Sequence, residues 1–124
     1  MKRGTLTAIW GGAGSGKTTQ ALTYAKALSG MTLVVNNEDM PHVLFQKGNL
    51  ANMDKLHMMC YPSAHPDLDE VMSNVSKYLD NYDNFVFDLN FTYFVPVDME
   101  HWMQELVNQK GKTVIFTGHS RTPR

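Results

Sequence analysis

The segment that most constrains this chain is a run of glycines and small residues near its start, closed by a lysine and two threonines. This glycine segment comprises Gly11, Gly12, Ala13, Gly14, Ser15, Gly16, Lys17, Thr18 and Thr19. It matches the pattern of a phosphate-binding loop, in which a glycine and four further residues precede Gly-Lys-Thr. The apolar run 6–10 indicates a short strand before it, and apolar residues from Ala21 to Leu28 recur at helical spacing after it. Strand, loop and helix are the context that the pattern requires.

The residue types in the glycine segment suit an anion. Glycines permit left-handed backbone angles, so the chain can wrap closely around a phosphate. Successive backbone N–H groups and the first turn of the helix then form a concave anion site. Lys17 would place its ammonium against the terminal phosphates, and the Thr18 hydroxyl would bind a bridging magnesium ion. We therefore predict that the chain binds a nucleoside triphosphate with Mg²⁺, and the absence of a guanine-specific Asn-Lys-x-Asp motif favours ATP.

Composition indicates one domain with a core of its own. The chain has 124 residues, of which 43% are hydrophobic and 19% charged, so we predict a single domain spanning residues 1–124. The net charge of −1 excludes a generally basic nucleic-acid-binding surface, but not a local basic channel. The one cysteine, Cys60, cannot form an internal disulfide, and no apolar run approaches the roughly 20 residues of a membrane span. These features predict a cytoplasmic protein in which Cys60 is a small core residue.

Alternating strand and helix patterns predict a mostly parallel sheet covered by helices on both faces. The predicted strands are 6–10, 32–36, 56–61, 84–88 and 113–117. Helices are predicted after the glycine segment, at 41–47, from the capping residue Asp67 to about 82, and at 98–109. The intervening segment 89–96 is predicted to be a loop. The expected architecture is an α/β three-layer sandwich with a five-stranded sheet.

Three polar residues lie at or just past the ends of predicted strands, at the sheet edge where ligands of open parallel sheets bind. Asp88 ends the fourth strand and is predicted to hold Mg²⁺ through water; a helix cap or turn residue is the alternative. Glu38 follows the second strand and is predicted to activate water as a general base. Asp39 is the less favoured base, and a solvated turn or helix cap is the structural alternative. His119, just past the fifth strand, is predicted to sense the terminal phosphate, with an ordinary loop histidine as the alternative.

Together these motifs resemble the RecA-like ATPases, especially DnaB-type hexameric helicases and their phage relatives. The strands that deliver Glu38, Asp88 and His119 follow the glycine segment in the family's order. The resemblance implies a phage-type, Mg²⁺-dependent ATPase of DNA metabolism, with Lys17, Glu38 and His119 in catalysis. It also implies a homo-oligomer or a partner ATPase subunit. The family's core continues past the sensor strand with further strands and a trans-acting arginine, so the chain is expected to be a truncated version of it.

Two segments match family loops that contact single-stranded DNA. They are residues 91–94, with Phe91, Tyr93 and Phe94, and residues 120–124, with Arg121 and Arg124. Aromatic and arginine side chains suit base stacking and phosphate contact. A subunit interface or a partly buried loop explains the aromatics equally well, and a frayed basic tail explains the arginines.

Two other functions remain open from the sequence. The glycine segment is also similar to that of adenylate-kinase-type enzymes, which transfer phosphate between nucleotides. Those kinases clamp phosphates with several arginines, whereas this chain has only Arg3, Arg121 and Arg124. The third function is a nucleotide-binding adaptor or inhibitor that does not hydrolyse its ligand.

Overall fold

Five parallel strands form one sheet in the computed structural model, which describes residues 4–12, 16–37, 55–61, 65–92 and 94–119. The strands are β1 (Leu6–Gly11), β2 (Thr32–Asn36), β3 (Leu56–Cys60), β4 (Asn84–Thr92) and β5 (Thr113–His119). The α-helices in these ranges are α1 (Lys17–Ala27), α2 (Leu68–Ser76) and α3 (Val97–Asn108), and a 3₁₀ turn spans Leu79–Asn81. The helix predicted at 41–47 lies outside the described residues.

The sheet has the strand order β1-β5-β4-β2-β3, and each of these neighbouring pairs is parallel. After β1 the chain passes through α1 to β2, and β4 and β5 later fill the gap between them. Because the strands run in one direction, their carboxyl ends all lie at a single edge, which we call the carboxyl edge. The predicted α/β class with a parallel five-stranded sheet is therefore confirmed.

Side-chain alternation along the strands divides the core into two faces. On one face, strand residues pack against the apolar side of α1: Ile9, Val34, Leu56, Val86 and Ile115 against Ala21, Leu22 and Ala25. On the other face, strand residues pack against α2 and α3: Leu33, Val35, Phe85, Phe87, Val114 and Phe116 against Val71, Val75, Met99, Met103 and Leu106. Helices thus cover both faces of the sheet, as the apolar strand runs predicted.

Strand β4 is longer than predicted, so the expected loop at 89–96 is wrong for residues 89–92. The strand continues because Phe91 is buried and packs edge-to-face on Phe116, with ring centroids 5.9 Å apart. The register between β4 and β5 shifts within this stretch, since Phe87 pairs with Phe116 but Phe91 pairs with Gly118. Residues 88–90 therefore oppose a single β5 residue and form a bulge. Within it Asn90 has a φ of 52°, a left-handed conformation that asparagine tolerates better than most residues.

Helix α2 begins at the predicted cap. The Asp67 carboxylate accepts hydrogen bonds from the backbone N–H groups of Asp69 (3.0 Å) and Glu70 (3.3 Å). Replacing Asp67 with alanine should lower the free energy of unfolding by about 1 kcal/mol, because two N–H groups of the first turn lose their acceptor. Urea unfolding measures this change, and Asp67→Ser should restore most of it. An unchanged unfolding midpoint in the alanine variant would contradict the capping role.

Cys60 departs from its predicted place in the core. It is exposed at the end of β3, because β3 is an edge strand of the sheet. Partial burial of the sulfur raises the pKa of the Cys60 thiol, so it is mostly protonated near neutral pH and a weak nucleophile. Among the described helices, none is both long enough and apolar enough to cross a membrane.

Candidate functional site

The glycine segment connects β1 to α1 at the carboxyl edge. Gly11 is the last residue of β1, and Gly16 caps α1 with a φ of 82°, where a side chain would be strained. Among the described residues, no side chain caps α1, and the first turn of the helix contains no acidic residue. The first N–H groups of the helix are thus left for another acceptor, and the helix dipole favours an anion there. Residues 13–15 lie outside the described residues.

Lys17 is held inside this connection. It is the first residue of α1, and its side chain is only 8% exposed. The Nζ atom donates a hydrogen bond to the carbonyl oxygen of Gly12 at 3.1 Å. A buried ammonium is costly unless it is hydrogen-bonded or paired with a negative group. The fold therefore places a positive charge beside the glycines and at the positive end of the helix, where both would attract phosphate.

Asp88 is the centre of a buried hydrogen-bond cluster. Its side chain has no exposed surface. Oδ2 accepts from Thr18 Oγ1 of α1 at 2.8 Å and from Asn36 Nδ2 of β2 at 2.9 Å. Oδ1 accepts from Thr117 Oγ1 of β5 at 2.8 Å. The two residues predicted to hold magnesium, Thr18 and Asp88, are thus in direct contact although 70 positions separate them in the chain.

The cluster follows from the alternation of the strands. Val34, Val86 and Ile115 lie on the face that α1 covers, and residues two positions further on are Asn36, Asp88 and Thr117. Because side chains alternate with a period of two, these three polar residues lie on that same face, at the carboxyl edge. Sequence reasoning missed Asn36 and Thr117. The available signal was a polar residue two positions after a core residue at the end of a buried strand.

His119 ends β5 between two neighbouring strands. It pairs with Gly11 of β1 on one side and with Thr92 of β4 on the other. The prediction placed His119 just past the end of the strand at residue 117, whereas in the structure it is the last residue of β5. The half-buried histidine thus lies beside the first residue of the glycine segment, at the same edge as Asp88.

Several predicted site residues lie outside the described residues: Ala13, Gly14, Ser15, Glu38, Asp39, Tyr93 and residues 120–124. Asn37 directly precedes Glu38, and its Nδ2 donates to the carbonyl oxygen of Leu89 at 3.2 Å. The end of β2 is thereby tied to β4, one residue beyond Asp88. Asn37 Oδ1 is buried and has no hydrogen-bond partner among the described residues. It is an acceptor that a bound water could satisfy.

The aromatic residues after Asp88 differ in exposure. Phe91 is 6% exposed, so its ring is not free to stack on a base, whereas Phe94 is 68% exposed. Both line a cavity of about 410 Å³ at the end of β4, together with His65, Leu68 and Asn90. Of the two described aromatics in this segment, Phe94 is the one that a ligand can reach.

The donor set suits magnesium bound together with a phosphate. Among the described residues, no group of three or more His, Cys, Asp or Glu side chains could hold a metal ion. Mg²⁺ characteristically takes one or two protein oxygens and completes its coordination with phosphate and water. The Thr18 hydroxyl and the Asp88 carboxylate fit that requirement.

Comparisons with known proteins do not place the chain in a family. No protein-family model matches it, and no curated protein is significantly similar to it. A function therefore has to be inferred from the site itself.

Proposed function

We propose that the chain is a small Mg²⁺-dependent ATPase of the RecA-like type that acts in DNA metabolism. The observation that carries the proposal is the 2.8 Å hydrogen bond between Thr18 Oγ1 and Asp88 Oδ2. It joins the hydroxyl that follows Lys17 to a carboxylate with no exposed surface at the carboxyl edge. A lysine, a helix N-terminus, a hydroxyl and a carboxylate at one point are the groups that binding of a magnesium triphosphate requires.

Each of the site residues that the structure describes has a distinct role in this proposal. The first N–H groups of α1 bind phosphate oxygens, and the Lys17 ammonium neutralises the terminal phosphates. Thr18 and Asp88 would hold Mg²⁺, the carboxylate through a water. Mg²⁺ bound there would offset the negative charge that develops on the phosphoryl oxygens. The burial of Lys17 and Asp88 strengthens these interactions, because water screens them less.

Glu38 and His119 complete the proposed chemistry. Glu38 takes the proton from the attacking water. In the sequence Glu38 follows Asn36 by two residues, and Asn36 pairs with Asp88 between β2 and β4. His119 reports the state of the terminal phosphate, and its place between Gly11 and Thr92 supports this role. A histidine on a strand between β1 and β4 can transmit a change at the nucleotide to the residues that follow it.

The DNA-related part of the proposal has two supports. One is the resemblance of the motifs and their order to DnaB-type helicases. The other is the exposed ring of Phe94, which follows the Asp88 strand and could stack on an unpaired base. Stimulation of phosphate release by single-stranded DNA is therefore expected.

Phosphate release from ATP tests the proposal. The wild-type protein should release phosphate with MgCl₂ but not with EDTA. Glu38→Gln should lower the rate by about 100-fold or more, the usual contribution of a general base, while still binding a non-hydrolysable ATP analogue. Glu105→Gln, an exposed change on α3, is the matched control and should keep the wild-type rate.

The other outcomes separate the competing functions. ATP binding without release would favour an adaptor, and phosphorylation of a nucleoside monophosphate would favour a kinase. A protein that binds no nucleotide would contradict all three.

A further inference from the structure

The Asp88 carboxylate has few acceptor positions left. A carboxylate offers about four lone-pair sites, two on each oxygen. On Oδ2 both are used, by Thr18 and Asn36, and on Oδ1 one is used, by Thr117. In the described contacts, the remaining acceptor site therefore lies on Oδ1. A water bound to Mg²⁺ would donate its hydrogen bond to this oxygen.

The Thr117 hydroxyl is itself held in one orientation. Its oxygen accepts a hydrogen bond from the backbone N–H of Asn90 at 3.3 Å. The hydroxyl proton is then directed to Asp88 Oδ1 at 2.8 Å. The Asn90 N–H reaches Thr117 from the bulge in β4, where Asn90 takes its left-handed conformation. The bulge, the buried hydroxyl and the carboxylate thus form one directed chain of hydrogen bonds.

We propose that Thr117 is a positioning residue for the cation. Its hydroxyl fixes the orientation of the one carboxylate oxygen that can still accept from a Mg²⁺-bound water. The inference rests on the proposed function, because the cation in question is the Mg²⁺ that is proposed to bind together with ATP. Thr117 is fully buried, and the group to which its hydroxyl donates is the Asp88 carboxylate. It also lies two residues before His119, so the same strand sets the cation site and carries the proposed phosphate sensor.

The experiment titrates MgCl₂ into the protein with a non-hydrolysable ATP analogue and measures binding by calorimetry. In Thr117→Val, which keeps the shape and removes the hydroxyl, the Mg²⁺ concentration for half-saturation should rise about 10-fold or more, as for other residues that orient a metal ligand. Binding of the analogue in EDTA should not change, because Lys17 and the backbone N–H groups are intact. Thr117→Ser keeps the hydroxyl and should restore the wild-type titration.

The outcomes distinguish this inference from the proposed function. A wild-type protein without Mg²⁺-dependent binding overturns the proposed function, whereas wild-type binding with an unshifted Thr117→Val titration overturns the inference alone. In an Asp88→Asn background, Thr117→Val should cause no further shift; a further shift would mean that Thr117 acts elsewhere and would overturn the inference. If the valine variant does not fold, Thr117→Cys replaces it in the same titration, because a thiol is a weak donor.

Discussion

Replacing Lys17 with alanine should lower kcat/KM for Mg²⁺-ATP by about 100-fold or more, the usual effect of removing a preorganised group that stabilises charge. Lys17 is 8% exposed, and its ammonium lies 3.1 Å from the Gly12 carbonyl oxygen. Its charge is therefore weakly screened, and the variant loses both the attraction for phosphate and the charge that would offset the transition state. Steady-state phosphate release measures kcat/KM, and calorimetry with a non-hydrolysable analogue measures the loss of affinity.

Lys26→Ala is the matched control for this prediction. Lys26 is exposed in the last turn of α1, so the variant removes the same charge from the same helix at the end away from the glycine segment. It should keep wild-type activity and affinity. Equal losses in the two variants would show that net charge matters rather than the position of Lys17. Full activity of Lys17→Ala would contradict the proposed site.

Asp88→Asn should raise the MgCl₂ concentration for half-maximal hydrolysis and lower the rate by about 100-fold or more. The asparagine amide has one acceptor oxygen, whereas the carboxylate has two. Its NH₂ group is a donor and would face a group that donates to the carboxylate in the wild-type protein. Three donors surround the position, from Thr18, Asn36 and Thr117. The mismatch in a fully buried site should also lower the free energy of unfolding by about 1–3 kcal/mol. A MgCl₂ titration of phosphate release measures the first effect, and urea unfolding measures the second.

Asp80→Asn makes the same chemical change at an exposed position. Asp80 lies in the 3₁₀ turn that precedes β4, at the edge of the sheet opposite the site. The variant should match the wild-type protein in both measurements. A wild-type Mg²⁺ response in Asp88→Asn would show that Asp88 does not hold the cation, and hence that the contact with Thr18 is purely structural.

The strands could be predicted because each is a short apolar run bounded by polar or turn-forming residues. The bounds of β2 agree with the prediction, those of β1 and β3 differ by one residue at one end, and α3 begins and ends one residue earlier than predicted. The arrival of Asp88 and His119 at one edge also followed from the sequence, since consecutive strand and helix patterns indicate a parallel sheet. The continuation of β4 to Thr92 could not be predicted from the sequence. It depends on Phe91 packing against Phe116, which belongs to a strand later in the chain.

The donors around Asp88 could not be predicted for a related reason. Asn36 and Thr117 are ordinary polar residues at strand ends, where the usual interpretation is a turn. They become a cluster only because β2 and β5 flank β4 in the sheet, so that Asn36 pairs with Asp88 and Thr117 lies opposite the bulge. Strand order is a property of the tertiary structure, and nothing local to these residues encodes it.

The sequence separations between Asp88 and its three donors have a consequence for how the protein folds. Asp88 is 70 positions from Thr18, 52 from Asn36 and 29 from Thr117. Each contact closes a long loop, and its entropic cost is met only when the intervening strands have associated. The carboxylate therefore acquires the Thr117 donor only when β5 has taken its place between β1 and β4.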